Sequence, residues 1–325
     1  WMNVSDGLAD RYVFDLAVRE RTIYAATTGG VYKLFNTAQA WNEINRGITN
    51  QSLNALVLSE SGWLVGTLGG GSFKSADRGQ NWAPANSGLP AYSNIQSLVT
   101  NNQTFWATDY GGGVYRSTDY GTSWTAVNLN LGNRFVNKLF LDGSTLYAGT
   151  DQGVFRSTDG GESWESFSAG LGARRVVSFA ARAGGICVGT YGSGVFCLNS
   201  DGSGWRQLNH NGLTSLNLTA LAAQDNLLYA GTGGGGICLS KDGGETWSAV
   251  NNQLPSNLHV FAFAIAGKKV YAGGIHGIFL TEDEGRSWKQ VNAGLLNTFV
   301  TGLAISGDQL FASTASGGVF VSRIP

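Results

Sequence analysis

The chain has 325 residues, a net charge of −1, 42% hydrophobic and 13% charged residues. That apolar content supports a large core and excludes a disordered chain, and the balanced charge without basic runs argues against nucleic-acid binding. Glycine is abundant (48) and proline scarce (4), no G-X-Y period makes it collagen-like, and no apolar run approaches the 18 residues of a membrane span.

The chain opens on Trp1, with no start methionine or signal peptide, as expected where any targeting segment has been removed. Its first residues, WMNVSDGL (1–8), match WKQVNAGL (288–295). Trp1, Trp41, Trp82, Trp124, Trp164, Trp205, Trp247 and Trp288 recur every 40 to 42 residues. A period of 20 to 50 residues signals a solenoid, a propeller or an array. The unit reads as four short strands: VNKLFLD (136–142), TLYAGT (145–150), GVFRST (153–158) and SWESFS (163–168) in the fourth copy. They are rich in Val, Phe, Tyr and Leu and bounded by Gly, Asp and Asn, and no segment carries a sustained helical period. Four strands in about 40 residues predict a propeller blade. The reading is therefore all-β: a single eight-bladed propeller over residues 1–325, with four-stranded antiparallel blades. Blades one to seven occupy about residues 12–295, and three strands of blade eight occupy 299–322. The C-terminal copy lacks a fourth strand, so residues 1–8 are expected to supply it and close the ring.

In the fifth copy, Cys187 and Cys197 flank the predicted hairpin CVGTYGSGVFC. They are either a cross-strand disulfide or two small buried hydrophobes.

Between the third and fourth strands runs Ser/Thr-x-Asp-x-Gly-x-x-Trp, intact at Asp77, Asp119, Asp159, Asp242 and Asp283 and decayed in NTAQAW and NSDGSGW. Asp can accept backbone N–H bonds within its own turn, Gly suits a positive φ, and Trp is expected to open the outer strand and cover the blade edge. This pattern resembles the Asp-box, or BNR, repeat of sialidases, xyloglucan-degrading enzymes, sortilin-type receptors and photosystem II assembly factors. The resemblance covers nearly the whole chain and implies a propeller in which the five aspartates are structural and lie away from any active site.

In an up-and-down blade the Asp-box turns share one face with the first hairpin turns. The loops joining strands two and three share the opposite face with the inter-blade crossovers, and variable residues collect there. The richest stretch falls in blades three to five: Tyr92, Asp109, Tyr110, Arg134, Phe135, Asp151, Arg174, Arg175 and Tyr191. Aromatic platforms beside Arg and Asp suit a glycan or a protein partner.

A sialidase-like enzyme would need an arginine cluster, which Arg134, Arg174 and Arg175 could imitate, but such enzymes have six blades and carry Arg-Ile-Pro near the N-terminus rather than at 323–325. A xyloglucanase-like enzyme needs two carboxylates across a cleft, and Asp109 and Asp151 hold matching positions in ATDYGGG and GTDQG, which favours turn capping. His259 and His276 fall at one end of blade seven, where the spacing supplies no third metal ligand. No catalytic residue, cofactor or metal is therefore assigned. The expected function is a non-catalytic recognition scaffold for a glycan or a protein, extracellular or periplasmic, with neither nucleic-acid binding nor membrane insertion. A glycoside-processing enzyme and a protein-complex assembly factor are the alternatives.

Overall fold

In the computed structural model the described residues are 2–3, 12–19, 22–35, 42–43, 46–49, 53–172, 174–182, 184–208, 212–295, 298–306, 308–314 and 318–324. The apolar runs form eight four-stranded antiparallel sheets, seven of them in sequence order, with no helix among the described residues. The fold is an eight-bladed β-propeller. Inner strands begin at Val13, Leu53, Ile95, Val136, Val176, Leu218, Val260 and Val300. The eighth blade runs Val300–Ser306, Gln309–Thr314 and Gly318–Arg323, and Met2–Asn3 pairs beside its third strand, as the matching terminal sequences predict. Trp1 and Trp41 lie outside the described residues.

Contacts divide the chain into two compact units. The N-terminal unit (Asn3–Ser166 and Ser313–Phe320) holds blades one to four, and the C-terminal unit (Trp1–Met2, Phe167–Ala312 and Val321–Pro325) holds blades five to seven and most of blade eight. In both units the core lies between successive sheets. Blades one and two share Tyr24, Leu53, Trp63 and Phe73, and blades three and four share Trp106, Val136, Leu146 and Trp164. In the C-terminal unit, Leu218, Leu228 and Trp247 pack blade six onto blade five, and Phe279 and Trp288 pack blade seven onto blade six.

A second strand covered on both faces buries residues of both parities, so Trp63–Thr67 and Phe105–Asp109 are buried throughout. Close packing also fixes small residues. A Cβ placed on Gly66 would lie 2.3 Å from Ile95 Cγ2, and one on Gly273 would lie 2.6 Å from Val300 Cγ1. The glycine before the end of the second strand lets the next inner strand approach.

Each repeated turn is a closed hydrogen-bond unit. Ser157 Oγ donates to Asp159 Oδ1 at 2.7 Å and accepts the Gly161 N–H, while Asp159 accepts the Ser163 N–H and, at 2.6 Å, its hydroxyl. Gly161 sits at φ +93°, open to glycine. Asp77, Asp119, Asp242 and Asp283 make equivalent bonds.

Two expectations about the tryptophan need correction. The outer strand of blade four is shorter than read, only Glu165–Ser166, and Trp164 precedes it rather than opening it, whereas Trp205 does open its strand, Trp205–Gln207. Nor does it merely cover an edge: Trp124, Trp164, Trp205, Trp247 and Trp288 are buried, and each donates its indole N–H to a main-chain carbonyl that precedes it by 37 to 39 residues, ahead of its own blade (Ala85, Val127, Phe167, Leu208 and Val250). The physical reason is that a buried indole N–H must find an acceptor, and the neighbouring blade supplies one.

Blade five carries a disulfide between Cys187 and Cys197, cross-strand neighbours, while Cys238 is a buried free thiol.

Candidate functional site

The loops on the face opposite the repeated turns are stitched together by main-chain bonds. Within blades three and four, the Tyr110 N–H donates to the Asn94 carbonyl (3.1 Å) and the Asp151 N–H to the Phe135 carbonyl (3.1 Å). Between these blades, the Gly111 N–H donates to the Arg134 carbonyl at 3.2 Å. The second loop of blade three is thereby fastened to the crossover entering blade four, which sets Tyr110 against Phe135.

The two rings meet edge to face with centroids 5.2 Å apart, and both remain open to solvent, Tyr110 at 40% and Phe135 at 45%. Gly111 at φ +97° carries the chain beneath Phe135. The Tyr110 hydroxyl lies 3.5 Å from Asp151 Oδ2. Asn137 occupies the extra position of an inner-strand β-bulge between Val136 and Lys138 and donates its Nδ2 to Asp151 Oδ1 at 2.9 Å. The bulge thus turns Asn137 onto the carboxylate. Arg134 is exposed, and its guanidinium has no hydrogen bond or ion pair among the described residues. Tyr92, on the crossover into blade three, is 85% exposed at φ +61°. The structure thus offers two aromatic rings, one further tyrosine, one cation and one oriented carboxylate on adjoining loops.

Asp109 has a different job. It is only 7% exposed and accepts the Asn94 N–H on Oδ1 at 2.6 Å. Burial pushes its carboxyl up from the usual aspartate value, against the Asn94 bond that pulls it down. Its acceptor atom is committed to closing the loop.

Arg174, Arg175 and Tyr191 belong to the C-terminal unit and form a group of their own in blade five. The Tyr191 N–H donates to the Arg175 carbonyl (2.9 Å), Tyr191 is 59% exposed, and Leu216 beside it on the next crossover is 43% exposed. In blade seven, His276 Nε2 lies 3.2 Å from Asn257 Oδ1, and His259 stands beside Phe261. No cluster of three metal-ligating side chains occurs among the described residues.

Two asparagines at the site escaped sequence reasoning. Asn137 gave no signal, since a bulge residue has no signature of its own. Asn128 did: asparagine also follows Trp82, Trp124, Trp247 and Trp288 by four residues. These side chains accept the N–H of Ser72, Val114, Ile237 and Ile278 and donate to Gly70, Gly112, Gly235 and His276 carbonyls. Asn128 thereby clamps the loop that carries Tyr110.

Comparison with known proteins supports the fold. Residues 38–173 match the model of the DUF6242 β-propeller domain. No curated protein sequence matches the chain. Among solved structures, the computationally designed Ika8 protein is similar at 15% identity and a TM-score of 0.78, with 98% of each chain covered. YCF48 bound to D1 peptide is similar at 17% identity and a TM-score of 0.63, over 84% of this chain and 93% of that one. The GH74 xyloglucanase from Xanthomonas campestris is similar at 16% identity and a TM-score of 0.65, over 95% of this chain and 58% of that one. Together with the eight observed sheets, these similarities make the chain a β-propeller.

Proposed function

We propose that the chain is a non-catalytic recognition scaffold of the Asp-box type. Its loops in blades three and four bind a polypeptide segment or a glycan. The observation that carries this reading is the exposed Tyr110–Phe135 pair beside Asp151 and Arg134, held by main-chain bonds rather than by its own packing. Aromatic and arginine anchors on a rigid base match the composition of binding hot spots, and little ordering entropy is lost on binding. Arg174, Arg175 and Tyr191 are proposed as a recognition patch of their own in blade five.

Asp109 supports recognition over glycoside hydrolysis, because one of the two candidate carboxylates is buried and bonded to its own loop. The peptide carried by YCF48 supports a polypeptide partner, and the likeness to a xyloglucanase keeps a glycan in view. The Cys187–Cys197 disulfide supports an extracellular or periplasmic location.

The test is a glycan array and affinity capture from the native extract, each run with the parent chain and with Tyr110→Ala and Phe135→Ala. Saturable binding by the parent, lost in both variants at unchanged melting temperature, is expected. Turnover of a chromogenic glycoside would replace this reading with an enzymatic one.

A further inference from the structure

The face that carries the repeated turns holds a second feature. In the C-terminal unit, a cavity of about 520 Å³ opens between blades six and seven. One of its lining residues is Tyr229, which is only 1% exposed. The Tyr229 hydroxyl has no hydrogen-bond partner among the described residues. Buried polar groups ordinarily find a partner, so this hydroxyl is left for whatever fills the cavity. Burial, with Glu284 and Asp283 close by, pushes its pKa up to about 12. The group therefore stays protonated and can both donate and accept.

Blade three shows how such a boundary closes without an occupant. Trp106 stands three residues before the end of its second strand, as Tyr229 does. It donates its indole N–H to the Gly160 carbonyl, in the repeated turn of blade four, at 2.8 Å. In blade seven the residue matching Gly160 is Glu284, whose carboxylate pairs instead with Lys241 on the turn of blade six. Tyr271, at the same position in blade seven, also lacks a partner, but its hydroxyl is sealed from solvent. Tyr229 lines an open cavity.

The charged groups around the opening carry both signs. Asp225, Lys268 and Arg286 line it, and their side chains make no hydrogen bond or ion pair among the described residues. Glu282 is paired with Lys269 at 3.3 Å, and Asp283 is spent in its own turn on Thr281 and Ser287. Lys241 first, then Arg286 and Lys268, hold the Glu284 carboxyl below its ordinary value. Cations and carboxylates thus interleave, and the cavity presents no field of a single sign.

We propose that this cavity binds a neutral polyhydroxylated ligand, a saccharide unit. A sugar hydroxyl both donates and accepts, so one ring can satisfy Asp225, Arg286 and the Tyr229 hydroxyl together, whereas an ion would meet a group of its own sign. The volume is that of a small-molecule pocket, and Leu227 and Val270 add apolar surface to its lining beside the polar groups.

Tyr229→Phe removes only a hydroxyl that bonds to nothing in the fold, so that variant should melt with the parent or above it. Ligand-observed NMR titration with glucose, galactose, mannose and N-acetylglucosamine is expected to show saturable binding of at least one sugar. For that sugar, Tyr229→Phe should weaken binding about fivefold and Asp225→Ala about tenfold, while Tyr110→Ala should bind as the parent does. Inorganic phosphate, the charged control, should bind more weakly than that sugar. No saturable binding of any of the four sugars, parental affinity in both cavity variants, tighter binding of phosphate, or a Phe variant that melts below the parent would overturn the proposal.

Discussion

Trp164 donates its indole N–H to the main-chain carbonyl of Val127, which lies 2.6 Å away on the segment leading out of the preceding blade. The bond repeats at Trp124, Trp205, Trp247 and Trp288, and at Trp124, Trp247 and Trp288 it joins the tryptophan's own sheet to the one before. Trp164→Phe keeps much of the packing but leaves the Val127 carbonyl without its donor, at a cost of about 1–3 kcal/mol. Trp164→Ala also opens a cavity and should cost about 3–5 kcal/mol. Urea denaturation of both variants measures the difference, and a Phe variant as stable as the parent would mean that the bond contributes nothing beyond packing.

The tryptophan spacing made the fold legible, because a period set by whole blades survives divergence of the residues between. The role of the tryptophan was not legible, since its acceptor lies nearly one period away and is a backbone atom. The same holds at the site. Tyr110, Phe135 and Asp151 stood out as aromatic and charged residues on predicted loops. Asn128 and Asn137 act on backbone and carboxylate groups from positions whose geometry only the folded chain defines.

The repeated aspartates predict an acid limit to stability. Hydroxyl and N–H donors from Ser163 and Ser157 hold Asp159 at about 2, against an ordinary 3.8, and Ser287 and Thr281 do the same for Asp283. For Asp119 and Asp242 burial pushes upward, but the bonds from Ser123 and Thr246 outweigh it and leave both at about 2. The unfolded chain therefore takes up protons before the folded one, and stability present above about pH 4 is lost as pH falls towards about 2. Ser163→Ala should shift part of that loss to higher pH, as read from urea midpoints across the range. Superimposable pH profiles would show that the Ser163 hydroxyl does not hold the carboxylate.

Asn128 predicts a local effect at the recognition loop. Its Oδ1 accepts the Val114 N–H at 2.7 Å, and its Nδ2 donates to the Gly112 carbonyl at 3.0 Å. Asn128→Ala removes both bonds, so hydrogen exchange at the Val114 amide should accelerate while the core strands of blade three stay protected. Unchanged exchange at Val114 would show that the loop holds itself.

The terminal strand predicts a global effect. Met2–Asn3 is the fourth strand of the eighth sheet, and without it Gly318–Arg323 becomes an unpaired edge. Deleting residues 1–8 should lower the melting temperature and promote association through that edge. A truncated chain that melts with the parent and stays monodisperse in light scattering would show that the added strand contributes no stability.

Asp109 separates a loop cap from a reacting carboxylate. Its Oδ1 takes the Asn94 N–H, while burial raises its pKa above the ordinary value, so the charge is unfavourable in the folded state. Asp109→Asn keeps an acceptor and removes the charge. Asp109→Ala leaves the Asn94 N–H unsatisfied, at a cost of about 1–3 kcal/mol. Because the folded pKa is raised, the parent gains stability as pH falls through Asp109's titration and loses it as pH rises. The stability of the Asn variant relative to the parent should therefore grow with pH from about 4 upward and level off once the folded carboxyl is ionised. An Asn variant less stable than the parent at neutral pH would mean that the carboxylate is wanted in its charged form, which is the behaviour of a binding or reacting group and not of a cap.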